Sequence, residues 1–166
     1  MVRPILIERT IAAPPEAVFA VSTDVPSWPE IVPAIDKTEL LTPGPVGLGT
    51  RFRETRTMFG REATEEMEFL EFEPSTRYVL GAMSHGCRYR TTFRLTPVEG
   101  GTRLSMEFGA EPLTFFAKVM SVAMAPMRKK IGEMCGRDLD AMKAHLEARG
   151  SATQPAAGQS EAESPT

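Results

Sequence analysis

Long apolar runs are the first thing this 166-residue chain lacks. Its most apolar stretch, Leu113–Met127 (LTFFAKVMSVAMAPM), is interrupted by Lys118 and Pro126 and falls short of the roughly 20 residues a bilayer requires. A buried helix is expected there, without stable membrane insertion. Cysteine is scarce as well: Cys87 and Cys135 fit neither a metal spacing nor a disulfide framework, and both read as structural. The N-terminal MVRPILIERT holds too short an apolar stretch for a signal peptide, so a reduced, cytoplasmic setting is expected. Positive charge is not in excess. A formal net charge of −3 offers no basic face of the kind nucleic acid binding calls for. HExxH, GxSxG and any Cys/His cluster are missing, and GPVGLG lacks the spacing and the following helix of a phosphate loop. Neither a metal nor a cofactor is expected.

What is present suits one globular domain. Hydrophobic residues make up 42% of the chain, enough at this length for one sizeable core, and residues 1–149 read as a single unit. From Gly150 onward, GSATQPAAGQSEAESPT contains no aromatic residue and no Leu, Ile or Val, so residues 150–166 are expected to be a disordered C-terminal tail.

Val2–Ala12 reads as a strand ended by Pro14-Pro15, with Pro15 suited to the first turn of a helix through Val21. Asp24-Val25-Pro26 stops it. Ser27 stands three residues before Glu30, the spacing of a capping box for a second short helix that Pro33 ends. Strands follow over residues 35–41, 50–58, 61–73, 77–84, 87–96 and 102–110, separated by glycine-containing turns, which predicts an antiparallel meander. Leu113, Phe116, Met120, Met124, Met127, Ile131, Cys135, Leu139, Met142 and Leu146 recur every three or four residues, predicting one long helix over about 112–149, kinked at Pro126.

The expected architecture is α+β: a helix-grip fold, β-α-α-β6-α. A curved antiparallel seven-stranded sheet wraps round the long C-terminal helix and encloses an internal cavity. The two short helices, with Trp28, plug its open edge. This order resembles the START-like SRPBCC superfamily. The stretches APPEAVFAVSTDVPSWPEIVP, GLGTRFRETR, EFLEFEPSTRYVL and RLTPVEGGTRLSME resemble its bacterial polyketide cyclase/dehydrase and lipid-transport group. The resemblance covers residues 2 to about 148. It implies a fold that hosts carriers, cyclases, hydratases and binding proteins alike.

Strand phase points to the cavity wall. A Gly60-Arg61 hairpin loop pairs Phe52 with Phe69, Glu54 with Met67, Arg56 with Glu65 and Met58 with Ala63, all inward. Arg53 opposite Glu68 and Thr55 opposite Glu66 then face solvent. The His85-Gly86 turn sets Tyr78, Leu80 and Ala82 against Phe93, Thr91 and Tyr89, and these face Met106, Phe108 and Ala110 across the next turn. Phe116, Met120 and Met124 line the helix side of the cavity, and Met83 is a further candidate for an adaptable lining.

Tyr89, Thr91 and an Arg56–Glu65 pair are the polar exceptions. The pair either faces water on a twisted strand or turns inward to hold a ligand's polar head. Tyr89 and Thr91 are either ordinary core and strand residues or ligand contacts. His85 is either a turn residue that tolerates unusual φ or, at the end that the resemblance makes the mouth, an acid or base. Two functions remain open. One is binding or carrying of a small hydrophobic molecule (a lipid, polyketide or isoprenoid) by a monomer or weak homodimer. The other is a cyclase/dehydrase-type enzyme using Arg56, Glu65, Tyr89 or His85. An enzyme requires at least two titratable groups converging deep in the cavity, one of them perturbed. A carrier requires polar groups only at the mouth.

Overall fold

The computed structural model describes residues 3–123 and 125–153. Strand β1 (Ile5–Ile11) is followed by α1 (Pro15–Thr23), a 3-10 turn at Val25–Ser27 and α2 (Trp28–Ile31). Six strands come next: β2 (Ile35–Leu40), β3 (Arg51–Met58), β4 (Arg61–Glu73), β5 (Arg77–Ser84), β6 (Cys87–Val98) and β7 (Gly101–Pro112). Helix α3 (Phe115–Ala123), a 3-10 turn at Ala125–Met127 and α4 (Arg128–Thr153) end the described chain. The sheet is antiparallel throughout, in the order β1-β7-β6-β5-β4-β3-β2. This is the α+β helix grip, with the sheet curved about α4.

The closed end of the grip is built from aromatics. Phe52 and Phe69 are fully buried, Trp28 packs edge-on against Phe52 with centroids 5.4 Å apart, and Tyr78 stacks on Phe93 at 4.5 Å. Phe19 from α1 meets both Phe72 and Tyr78 edge-to-face. Each such side chain contributes about 1.5–3 kcal/mol through burial alone, and the edge-to-face pairs add to that. Leu139, Met142 and Leu146 of α4 complete the core, and Cys135 is buried on the same helix.

The local differences from expectation have identifiable causes. Ser27 does not cap α2; its hydroxyl lies 2.5 Å from the Asp24 carboxylate, and a 3-10 turn leads directly into the helix. Strand β1 begins at Ile5, since Pro4 has no amide to give a ladder. The long helix is two helices. Strand β7 runs on to Pro112, pairing with Cys87, and the α-helical ladder breaks around Pro126 rather than bending. At its other end α4 continues to Thr153, so Gly150 does not begin the tail. The rest of the expected tail, 154–166, lies outside the described residues, as does Met124.

The β3–β4 register also differs. Phe59 and Gly60 both have positive φ, 51° and 77°, so the loop is a type I′ turn on these two residues rather than on Gly60-Arg61. Facing residues are Phe52↔Met67, Glu54↔Glu65, Arg56↔Ala63 and Met58↔Arg61. Outside, Arg53 faces Glu66 and Thr55 faces Thr64, with a 2.9 Å hydrogen bond between the two threonines. The slip is two residues, so every side chain keeps its face while its partner changes. The β5–β6 and β6–β7 registers are as expected, Tyr78↔Phe93 and Thr91↔Phe108 among them.

Candidate functional site

Along β3 the inward side chains run from the closed end toward the β3–β4 turn as Phe52, Glu54, Arg56 and Met58. The first is in the aromatic plug; the next two are charged. Arg56 does not pair with Glu65. Its Nε donates to Glu54 Oε1 at 2.6 Å, and its terminal nitrogen donates to Asp138 Oδ2 of α4 at 2.9 Å. The shift in register separates Arg56 from Glu65, and α4 supplies the replacement. All three side chains are largely out of water, with 14% of Arg56, 9% of Glu54 and 16% of Asp138 exposed.

Two carboxylates around one guanidinium leave an uncompensated negative charge in a poorly hydrated place. Burial pushes Glu54 upward, and the Arg56 charge only partly opposes it. Asp138 is likewise raised, by burial first and against Arg56. For Arg56, burial acts downward but the two carboxylates outweigh it, so its positive charge is secure. Burial therefore favours the protonated form of both carboxyls, and Arg56 opposes it. Cys135, one turn before Asp138, has its thiol raised to about 11 by burial and then by Asp138.

A second polar group sits nearer the β5–β6 turn. Ser84 Oγ is 3.0 Å from Glu65 Oε1 and 2.7 Å from His85 Nδ1. One hydroxyl proton serves one acceptor. With Ser84 donating to Glu65, its oxygen is left to accept from His85 Nδ1. His85 is exposed at the turn with φ 49°. Tyr89 is half-buried and stacked on Phe108 at 5.9 Å; burial, then Cys87, raises its phenol to about 12.

The apolar wall grades in the same direction. Phe69 and Leu80 are buried, whereas Met58, Met67, Ala82, Thr91, Met106 and Phe108 are only half-buried toward the turns. The helix side of the expected lining departs most. Phe116 is 72% exposed, and Met120 is exposed too, because α3 does not continue the inward face of α4. Met83 points outward and is exposed. Asp138 was the residue that sequence reasoning missed. It lies between Cys135 and Met142 on the buried face, and a carboxylate interrupting an apolar stripe was the available signal.

A groove of about 710 Å³ lies elsewhere, between β1 and α4, lined by Leu6, Arg9, Gly132, Glu133 and Asp140 among others. It includes none of the wall residues. It is an open channel along an edge strand spanned by the Arg9–Asp140 ion pair. The inner wall, where buried charge meets apolar surface, is the better candidate. Among the described residues no cluster of three or more His, Cys, Asp or Glu is arranged to hold a metal ion. No described helix is long and apolar enough to cross a membrane.

The grip of sheet on helix, with an apolar wall and internal polar groups, defines a START-like helix-grip protein. The sequence pattern of the polyketide cyclase/dehydrase and lipid transport family matches residues 6–147, and the chain belongs to that family. A search of curated proteins gives no match. Solved structures share the fold at low identity. The Zhui aromatase/cyclase from Streptomyces sp. R1128 is 20% identical, with 94% of this chain and 98% of that one covered and a TM-score of 0.69. A START superfamily protein from Mycobacterium smegmatis is 15% identical, covers 89% and 99%, and has a TM-score of 0.70. The di-domain aromatase/cyclase StfQ of the steffimycin biosynthetic pathway is 15% identical, covers 90% of this chain, and has a TM-score of 0.72. The present chain spans only 53% of StfQ's length.

Proposed function

We propose that the chain binds a small, largely apolar molecule between the sheet and α4, with the molecule's polar end held at Glu54, Arg56 and Asp138. One observation carries this reading: a charged trio is maintained in a wall otherwise made of Phe52, Met67, Phe69, Leu80 and Phe108. Burying such charges costs several kcal/mol that an apolar replacement avoids, so the trio calls for a use. A carbonyl, enol or carboxylate oxygen on the ligand suits the guanidinium and the raised carboxyls. The family's description, the polyketide and lipid classes, supports the same chemistry.

A second reading, a cyclase/dehydrase-type reaction, is favoured by the convergence of two raised carboxyl groups on one guanidinium. A carboxylate of the trio takes a proton from the carbon next to a ligand carbonyl, while Arg56 stabilises the oxygen as it becomes negative. Glu65, Ser84, His85 and Tyr89 then meet the outer end of the substrate. The protein acts as a single helix-grip domain in a reduced cytoplasm on either reading.

Native mass spectrometry of freshly purified protein, followed by solvent extraction, tests the first reading. A discrete polyketide, lipid or isoprenoid retained by the wild type and lost from Arg56→Met supports it. Retention unchanged in the variant places the polar end elsewhere and overturns the assignment. For the second reading, the extracted molecule is incubated with the protein in deuterated water. Deuterium gained next to its carbonyl with wild type but not with Asp138→Asn is the expected result.

A further inference from the structure

The chain's net charge is −3, yet residues 112–132 contain no acidic residue and four cations, Lys118, Arg128, Lys129 and Lys130. The same segment holds α3, which is oriented opposite to an ordinary surface helix. Its small and polar side, Ala117 and Ser121, is turned toward the protein, and Ala117 alone is buried. Its apolar side is turned out: Phe115 is 84% exposed, Phe116 72%, Val119 53% and Val122 75%. At 100° per residue, the outward apolar residues from Val122 round to Met120 cover an arc of about 160°, with Lys118 at its border.

The end of the sheet beside α3 carries another exposed aromatic. In an antiparallel meander the β3–β4 turn, the β5–β6 turn and the end of β7 lie together. The start of α3 is tied to that end: Leu113 N donates to Gly86 O at 2.9 Å, and Thr114 Oγ1 accepts from Ala117 N at 3.1 Å. Phe59, half exposed, occupies the first position of the type I′ turn at φ 51°, where Asn, Asp or Gly is the favoured residue. A bulky residue held there at a steric cost, and in water, points to use of the side chain.

We propose that α3, with Phe59 at the same end of the sheet, is a membrane-docking surface that seats the open end of the grip on an anionic bilayer. The apolar arc enters the acyl boundary while the helix lies in the interface plane, and Lys118 and Lys130 meet the headgroups, Lys129 being paired with Glu133 at 3.9 Å. Charge complementarity selects this occupant. A second copy would bring four cations against four. The surface does not depend on the Arg56 trio, and its test is separate from the ligand test.

The full-length protein is mixed with vesicles of phosphatidylcholine, or with a third of the lipid replaced by phosphatidylglycerol, and bound protein is measured by flotation. Wild type floats with the anionic vesicles and much less with neutral ones, and salt weakens the binding. Phe115→Ser/Phe116→Ser lowers the partition by about a hundredfold, about tenfold for each ring withdrawn. Lys118→Glu/Lys130→Glu lowers it on anionic vesicles by at least about fivefold per site and leaves neutral vesicles unaffected. These side chains are exposed, so unfolding midpoints should match wild type. Absence of flotation with anionic vesicles overturns the proposal, as does flotation indifferent to the serine substitutions. A dimer that the serine substitutions dissolve overturns it too, in favour of self-association through α3.

Discussion

Arg56 is the residue on which the proposed site turns, and its removal has a pH signature. Glu54 and Asp138 are raised in the folded protein, so each favours the fold most when protonated, below its unfolded value. That contribution is lost as pH rises through the raised folded value. In Arg56→Met both carboxyls lose the cation that held them down, and both rise further. The variant is therefore expected to be about 3 kcal/mol less stable at neutral pH, the usual cost of stranding a buried charge. The deficit should shrink as the pH falls and both groups take up protons. Urea unfolding of the two proteins at pH 8 and at pH 5 measures it. A deficit independent of pH would mean that the methionine merely packs badly. The identity of Arg56 as an inward polar residue was legible in the alternation of β3. Its partners were not, because they depend on a turn type and on a helix 82 positions away.

At the scale of elements, the two ends of the sheet are built with opposite tolerances. The Phe59-Gly60 turn is strained by its phenylalanine. Phe59→Asn should raise stability by about 1 kcal/mol, since Asn enters the left-handed region readily. If α3 and Phe59 act together on a membrane, the same substitution weakens vesicle binding, so stability and docking move in opposite directions. Chemical denaturation with flotation on one sample distinguishes this from an inert turn, which would gain stability alone. At the other end Gly101 admits no substitution, because a Cβ there would stand 2.0 Å from the Ile11 carbonyl oxygen where β7 meets the end of β1. Gly101→Ala is expected to cost upward of about 2 kcal/mol, seen as a lowered urea midpoint; a near-neutral result would show that the β1–β7 junction yields. The elements themselves were readable from proline, glycine and period. The hairpin register was not: a Phe in a type I′ turn runs against the sequence preference on which the expectation of a Gly60-Arg61 loop was built.

For the whole molecule, the fold sets three features along one axis. An aromatic plug closes the far end, a charged trio occupies the middle, and an apolar helix stands beside the open end. On the proposed function, loading stabilises the fold. A ligand at 100 times its Kd should add about 2.7 kcal/mol to unfolding free energy, read as a higher thermal midpoint than that of the extracted protein. The gain should be lost in Arg56→Met while the core composed of Phe52, Phe69, Tyr78 and Phe93 still unfolds cooperatively. A midpoint unchanged by extraction would count against a loaded cavity.

By itself the sequence determined the architecture: the order of elements, the phase of each strand, the aromatic composition of the plug and the resemblance to the helix-grip proteins. Those features are local. Alternation, turn residues and prolines act within a few positions of the chain. Only the tertiary structure decided where α4 stands against β3, and hence that Asp138 rather than Glu65 answers Arg56. It also decided that, beyond the break around Pro126, the apolar face of α3 turns outward while Leu139, Met142 and Leu146 of α4 stay in the core. A helical period shows that a face is apolar and cannot show what covers it, because burial is a property of the neighbours that distant segments bring.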